Sequence, residues 1–208
     1  MARHALAIVG ASRPRPGEVA NGDAWTVESD DGGWRISVID GLGHGPEAEA
    51  AAVIALDTLA TQPSLPPDRA LEICHRRLAG SRGAAISIVG IDVSAGLLTF
   101  CGVGNVEGRL ILESHERRLT AQRGIVGATL PGLRPLDFPL QGDWLLLLHT
   151  DGVSARFHID ALRPMGERGL QSLADEILAG WARAYDDATI VVAQTAPEYP
   201  GPATARVS

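Results

Sequence analysis

Short apolar runs, broken by Gly, Pro, Asp and Asn, mark out the chain from end to end. Residues 6–9, 24–27 and 34–39 read as strands, and Asp30-Asp31-Gly32-Gly33 between the last two is a strong hairpin signal. The run 34–39 alternates little, as a strand buried on both faces does. Pro46 suits the first turn of a helix. Behind it, the Ala-rich stretch 47–60, with Val53, Ile54, Leu56 and Leu59, predicts a helix buried on most sides. A second helix starts at Pro66-Pro67-Asp68 and ends near Gly80. Four runs, 84–93, 97–102, 106–112 and 117–119, follow at the spacing of antiparallel hairpins. A loop over 121–134 holds Gly124, Gly127, Pro131 and Gly132 and is long enough to carry function. Residues 144–149 form a continuous apolar strand, and 188–194 the last strand. Between them, 170–184 is an amphipathic helix with Leu173, Ile177 and Trp181 at helical spacing. A Pro/Gly/Ala tail over 197–208 is expected to be disordered.

Strands and helices come in blocks rather than in strict alternation. That favours an α+β fold of mainly antiparallel sheets covered by helices over a doubly wound parallel one. No repeat or linker interrupts the chain, so residues 1–196 read as one domain.

Composition removes several chemistries. The 208 residues include no lysine: all 18 basic residues are arginine, against 25 Asp plus Glu, for a net charge of −7. P-loop and protein-kinase phosphate binding, pyridoxal Schiff bases and SxxK nucleophile activation all need a lysine. Net acidity argues against a nucleic-acid partner. Cys74 and Cys101 show no metal-ligand spacing and read as reduced, buried thiols. The early apolar run 5–11 is too short to span a bilayer, and no cleavage site follows it. The expectation is a cytoplasmic, monomeric protein with no membrane segment.

Four aspartates share a setting. Asp23 stands just before a strand, Asp40 closes one, Asp151 closes another, and Asp186 precedes the last, with Asp187 beside it. Strand ends can aim such side chains into a common rim, and glycines beside three of them let backbone approach a ligand. All-oxygen ligand sets suit Mg²⁺ or Mn²⁺. Carboxylates gathered this way repel unless cations lie between them.

These segments also resemble a known family. Asp40-Gly41-Leu42-Gly43-His44-Gly45, Thr150-Asp151-Gly152-Val153 and Asp186-Asp187-Ala188-Thr189 are similar to three spaced motifs of the metal-dependent PPM (PP2C-like) protein phosphatases. Asn21-Gly22-Asp23-Ala24 resembles that family's first acidic motif. The Gly-His-Gly form and the small size resemble the bacterial SpoIIE-type branch. Within it, Gly102-Val103-Gly104-Asn105-Val106-Glu107-Gly108 and Arg123-Gly124-Ile125-Val126-Gly127 look like the stand-alone phosphatases of the stressosome.

The resemblance implies a four-layer α-β-β-α sandwich and a two-metal site for Mn²⁺ or Mg²⁺. Asp40 would bridge the metals, the Gly41 carbonyl would bind one, Asp23 would serve the site, and Asp151 and Asp186 would complete it. Asp187 is the less suited ligand of its pair. A metal-activated water would then attack a phosphoserine or phosphothreonine in line, with a phosphorylated STAS-domain stressosome protein as the implied substrate. Eukaryotic members carry a phosphate-binding Arg where this chain has Glu18, which leaves Arg13, Arg15 and Arg123 as candidates for that work. His44 is a further candidate at the phosphate, against a structural or helix-capping role. His149 reads as a buried partner. Two other readings stay open: a non-catalytic binding module on the same fold, and a phosphatase acting on a small nucleotide.

Overall fold

Strands that are apolar on both faces belong in the interior of a layered fold, and that is where the computed structural model places them. The structure describes residues 6–30, 33–113, 115–157 and 169–196. The tail over 197–208 and the hairpin residues Asp31 and Gly32 lie outside the described residues. In chain order come β1 (Leu6–Arg13), β2 (Asp23–Asp30), β3 (Gly33–Gly41), α1 (Pro46–Ala60), α2 (Pro67–Arg77), β4 (Ala84–Asp92) and β5 (Leu97–Val103). There follow β6 (Glu107–Leu112), β7 (Glu116–Leu119), β8 (Leu136–Pro139), β9 (Trp144–His149), α3 (Leu170–Trp181) and β10 (Ala188–Thr195).

Two five-stranded sheets form, in the orders β1-β10-β9-β6-β7 and β2-β3-β4-β5-β8, with every pairing antiparallel. Alternate residues of each inner strand feed different layers. From β4, Val89 and Ile91 pack between the sheets, whereas Ile86 and Ile88 pack beneath α1 and α2. From β9, Leu146 and Leu148 join the inter-sheet core, whereas Leu147 packs under α3 with Ile190 and Val192 of β10. Three apolar layers therefore separate four layers of secondary structure, α-β-β-α.

Two elements depart from the sequence reading. The helix α1 is buried along one stripe, not on most sides. Ala48, Ala51, Ala52, Ala55 and Leu59 face the sheet while Val53 is 46% exposed. Small residues let the helix backbone come down onto β3: a Cβ at Gly41 would lie 2.2 Å from the Ala48 carbonyl oxygen. The edge strand β8 had no counterpart in the hydrophobic pattern. Its residues are exposed or half-buried and it ends in proline, which an edge tolerates because no donor is needed there.

One buried charge fixes α1 against its sheet. Arg35, 3% exposed, pairs with Glu28 at 3.2 Å across the β2–β3 ladder. Its other nitrogens donate to the carbonyls of Leu59 and Gln62, at the C-terminal end of α1. Replacing Arg35 by Ala takes the buried cation away from Glu28 and from both carbonyls, and leaves a buried carboxylate uncompensated. Arg35→Ala is expected to lower unfolding free energy by roughly 3–5 kcal/mol in urea titrations; a loss within the ~1 kcal/mol of an exposed pair would contradict this.

Candidate active site

Asp23 and Asp40 stand directly opposite each other in the β2–β3 register. Asp40 falls on the side of β3 that carries Ile36 and Val38, the inter-sheet side, where apolar packing gives way to an open rim. From the other sheet, Asp151 follows the end of β9 and Asp186 precedes β10, its neighbour in the sheet. Asp40, Asp151 and Asp186 line one cleft of about 540 Å³, together with Asn105, Arg123 and Tyr185. Asp23 lies beside Asp40, 6% exposed and off the cleft wall. One Asp23 oxygen accepts the Thr150 hydroxyl at 2.6 Å, and Thr150 Oγ1 accepts the Thr189 N–H at 3.0 Å. A hydroxyl thus ties the first acidic motif to the other sheet.

Close backbone contact joins the motifs. A Cβ at Gly152 would fall 1.7 Å from the Asp187 carbonyl oxygen, so only glycine lets these segments touch. Asp187, 3% exposed, turns away from the cleft. Its carboxylate accepts the backbone N–H of Arg15 at 2.7 Å and of Gly22 at 2.9 Å. That latch holds the β1–β2 connection in place and explains why two adjacent aspartates have different surroundings.

The electrostatics follow from this crowding. Burial, and then the charges of Asp23, Asp151, Asp186 and Asp187, push Asp40 up to about 9. Burial raises Asp23 to about 7 despite its hydroxyl bonds. Asp186 is raised by burial and then by Asp151. Such a set is short of positive charge and consists of oxygen donors, which fits hard divalent cations. Among the described residues no three acidic, His or Cys side chains already close on a single point; the like charges surround the cleft floor instead. Asp40, Asp151 and Asp186 are the side chains that could hold such ions, with the Gly41 main chain and Asp23 beside them.

The four candidate phosphate ligands divide. Arg13 donates to the carbonyls of Pro14, Arg183 and Asp186, bracing the segment before β10. Arg15 faces Glu18 at 3.8 Å and lies near enough to Asp186 to oppose its rise. Arg123 lines the cleft and makes no hydrogen bond or ion pair among the described residues. His44 also lines the cleft, with Nδ1 2.7 Å from Glu18 Oε1. It does not cap α1, whose N-cap is Gly45 without a side-chain bond. His149 is buried: Nδ1 donates to the Thr150 carbonyl at 3.0 Å, its ring meets Phe157 edge-on, and burial lowers its pKa.

Asn105, Thr150 and Tyr185 were not picked out as site residues from the sequence. Asn105 Nδ2 donates to Asp151 Oδ2 at 2.7 Å. Its sequence signals were a place in the turn after Gly104 and membership of the 102–108 segment that carries the resemblance, neither of which points to Asp151. The contact spans 46 residues, which local pattern does not reveal.

Residues 30–196 match the sequence profile of the family described as stage II sporulation protein E (SpoIIE). The chain belongs to the SpoIIE family. A relative, phosphoserine phosphatase RsbX of Bacillus subtilis (strain 168), is 32% identical over 100 residues, covering 48% of this chain and 49% of that protein. The match thus spans about half the length of that relative. Among solved structures, a chain from a description of the bacterial stressosome, a modular system adapted to control secondary messenger signalling, superposes with a TM-score of 0.84 at 31% identity. It covers 91% of this chain and 99% of its own. RsbX in complex with magnesium superposes with a TM-score of 0.81 at 20% identity, over 94% of this chain and 98% of that one. The SpoIIE-family chain thus shares the PP2C-type fold. Among its described residues, no helix is long and apolar enough to cross a membrane.

The raised acids give a stability signature. An acid whose folded pKa exceeds its unfolded value stabilises the fold below the unfolded value, and that contribution disappears as pH rises through the folded one. Without metal, stability should therefore fall as pH rises from 3.8 towards 7 for Asp23 and 9 for Asp40. Melting temperatures of chelator-treated protein should drop over that window more steeply than those of Asp40→Asn, and Mn²⁺ should reverse the drop. Parallel curves for the two proteins would contradict the assignment of Asp40.

Proposed function

We propose that the chain is a divalent-cation-dependent protein phosphatase that hydrolyses phosphoserine or phosphothreonine on a bacterial regulatory protein. The observation that carries this reading is the meeting of Asp40, Asp151 and Asp186, from both sheets, in one cleft with Arg123 on its wall. Asp40, Asp151, Asp186, Asp23 and the Gly41 carbonyl would hold two Mn²⁺ or Mg²⁺ ions. When bound, such ions neutralise phosphate charge and lower the pKa of a water.

The chain's own groups account for the rest. Arg123 offers a planar fork to the phosphate oxygens, and among the described residues none of its donors is engaged elsewhere. His44 Nδ1 stands 2.7 Å from Glu18 Oε1, an ion pair when the ring is protonated, and the ring lines the cleft. In its protonated form, with Nδ1 toward Glu18, His44 would give its Nε2 proton to the departing serine oxygen. Glu18 occupies the position where eukaryotic PP2C enzymes carry their phosphate Arg, so its work here is to hold a histidine. The relatives named above favour a stressosome protein as the substrate, and the resemblance of the motifs implies one with a STAS domain.

Phosphate release should require Mn²⁺ or Mg²⁺, stop with chelator, and occur from a phosphorylated STAS-domain protein as well as from p-nitrophenyl phosphate. Asp40→Asn should abolish both activities. A wild-type chain that binds the phosphoprotein yet releases phosphate from neither substrate would instead be the binding module. His44→Ala should slow hydrolysis of the phosphoprotein by about 100-fold and leave p-nitrophenyl phosphate nearly unaffected, because nitrophenolate departs without a proton. Equal losses on both substrates would remove His44 from the proton transfer.

A further inference from the structure

Asp151 is gripped from the neighbouring strand end: the β6–β9 register, with Glu107 opposite His149, carries on to set Asn105 beside Asp151. Asn105 Nδ2 donates to Asp151 Oδ2 at 2.7 Å, and both residues line the cleft. Each end of this bond has a rigid mount. Asn105 sits in the turn between β5 and β6, after Gly104, whose φ is +107°. A Cβ at Gly104 would come within 2.2 Å of the Ala85 side chain, so the turn lies directly on β4. The Gly104 N–H also donates to the Gln122 carbonyl at 2.9 Å. On the other side, the Thr150 N–H donates to the Thr189 carbonyl at 3.1 Å and the Val153 N–H to the Thr150 carbonyl at 3.1 Å, which fixes the backbone around Asp151.

The residue type matters. An amide can donate to a carboxylate without adding charge, whereas an acid at 105 would add a like charge 2.7 Å from Asp151. With Oδ2 held, Oδ1 is left to face a cation. Asn105 is itself exposed, so a single hydrogen bond there contributes little to folding.

We propose that Asn105 is a positioning residue that fixes the Asp151 carboxylate for cation binding. The proposal rests on the metal-site reading of the cleft. Partners that orient a metal-binding side chain commonly alter affinity by 10–100-fold when removed.

The test is calorimetric titration of Mn²⁺ into the full chain and into Asn105→Leu, a substitution of similar size that lacks the donor. The expected result is a dissociation constant raised about tenfold or more, with the melting temperature of the chelator-treated protein unchanged. Unchanged Mn²⁺ affinity overturns the proposal. So does a weakened affinity accompanied by a lower metal-free melting temperature, since the effect would then belong to the fold. If the wild-type chain takes up no Mn²⁺, the metal-site reading fails first, and this proposal with it.

Discussion

The fold forces carboxylates together that would otherwise avoid one another. Asp23 and Asp40 face each other because the β2–β3 register pairs them. Asp151 and Asp186 arrive from the second sheet because β9 and β10 are neighbours ending at the same rim. Three apolar layers hold the sheets in that relation. Their packing outweighs the cost of burial and repulsion that together lift Asp40 to about 9. Cations are the natural counterweight to such a cluster, which is why charge crowding and metal chemistry coincide here.

Around that cluster, other polar side chains serve as scaffolding. Asp187 latches the β1–β2 connection through two backbone N–H groups. Arg13 braces the segment before β10 through carbonyls. Arg109, 4% exposed, pairs with Glu116, lies over the Phe157 ring at 4.4 Å and donates to the Phe157 carbonyl at 2.9 Å. These groups are engaged by the protein itself. Arg123 has no such engagement among the described residues, and it lines the cleft. The absence of lysine limits none of this, since cation-activated water needs no amine and arginine suits both the braces and the phosphate fork.

Much of the architecture was legible because strand burial leaves a mark. Runs such as 144–149 are apolar throughout since each face meets a different core layer. The four acids were legible because each stands at the edge of a strand, three of them beside glycine. What escaped the sequence depended on long-range geometry. β8 is an edge strand with three exposed residues, paired with β5, and Phe138 is the residue it packs against the inter-sheet core. Burial of α1 along an alanine stripe follows from its close approach to Gly41, not from its larger side chains. The partners of Asp151 and Asp23, namely Asn105 and Thr150, lie 46 and 127 residues away in the chain.

The central claim is that a repelling acid cluster is completed by divalent cations. Acids held at about 7 and 9 carry protons near neutral pH, and cations must displace them. The direct measurement is proton release on Mn²⁺ binding at pH 7.5, read by calorimetry in buffers of different ionisation enthalpy. The account predicts release of about one proton per chain, lost in Asp40→Asn. Binding of Mn²⁺ with no proton released, or with release unchanged in Asp40→Asn, would contradict it.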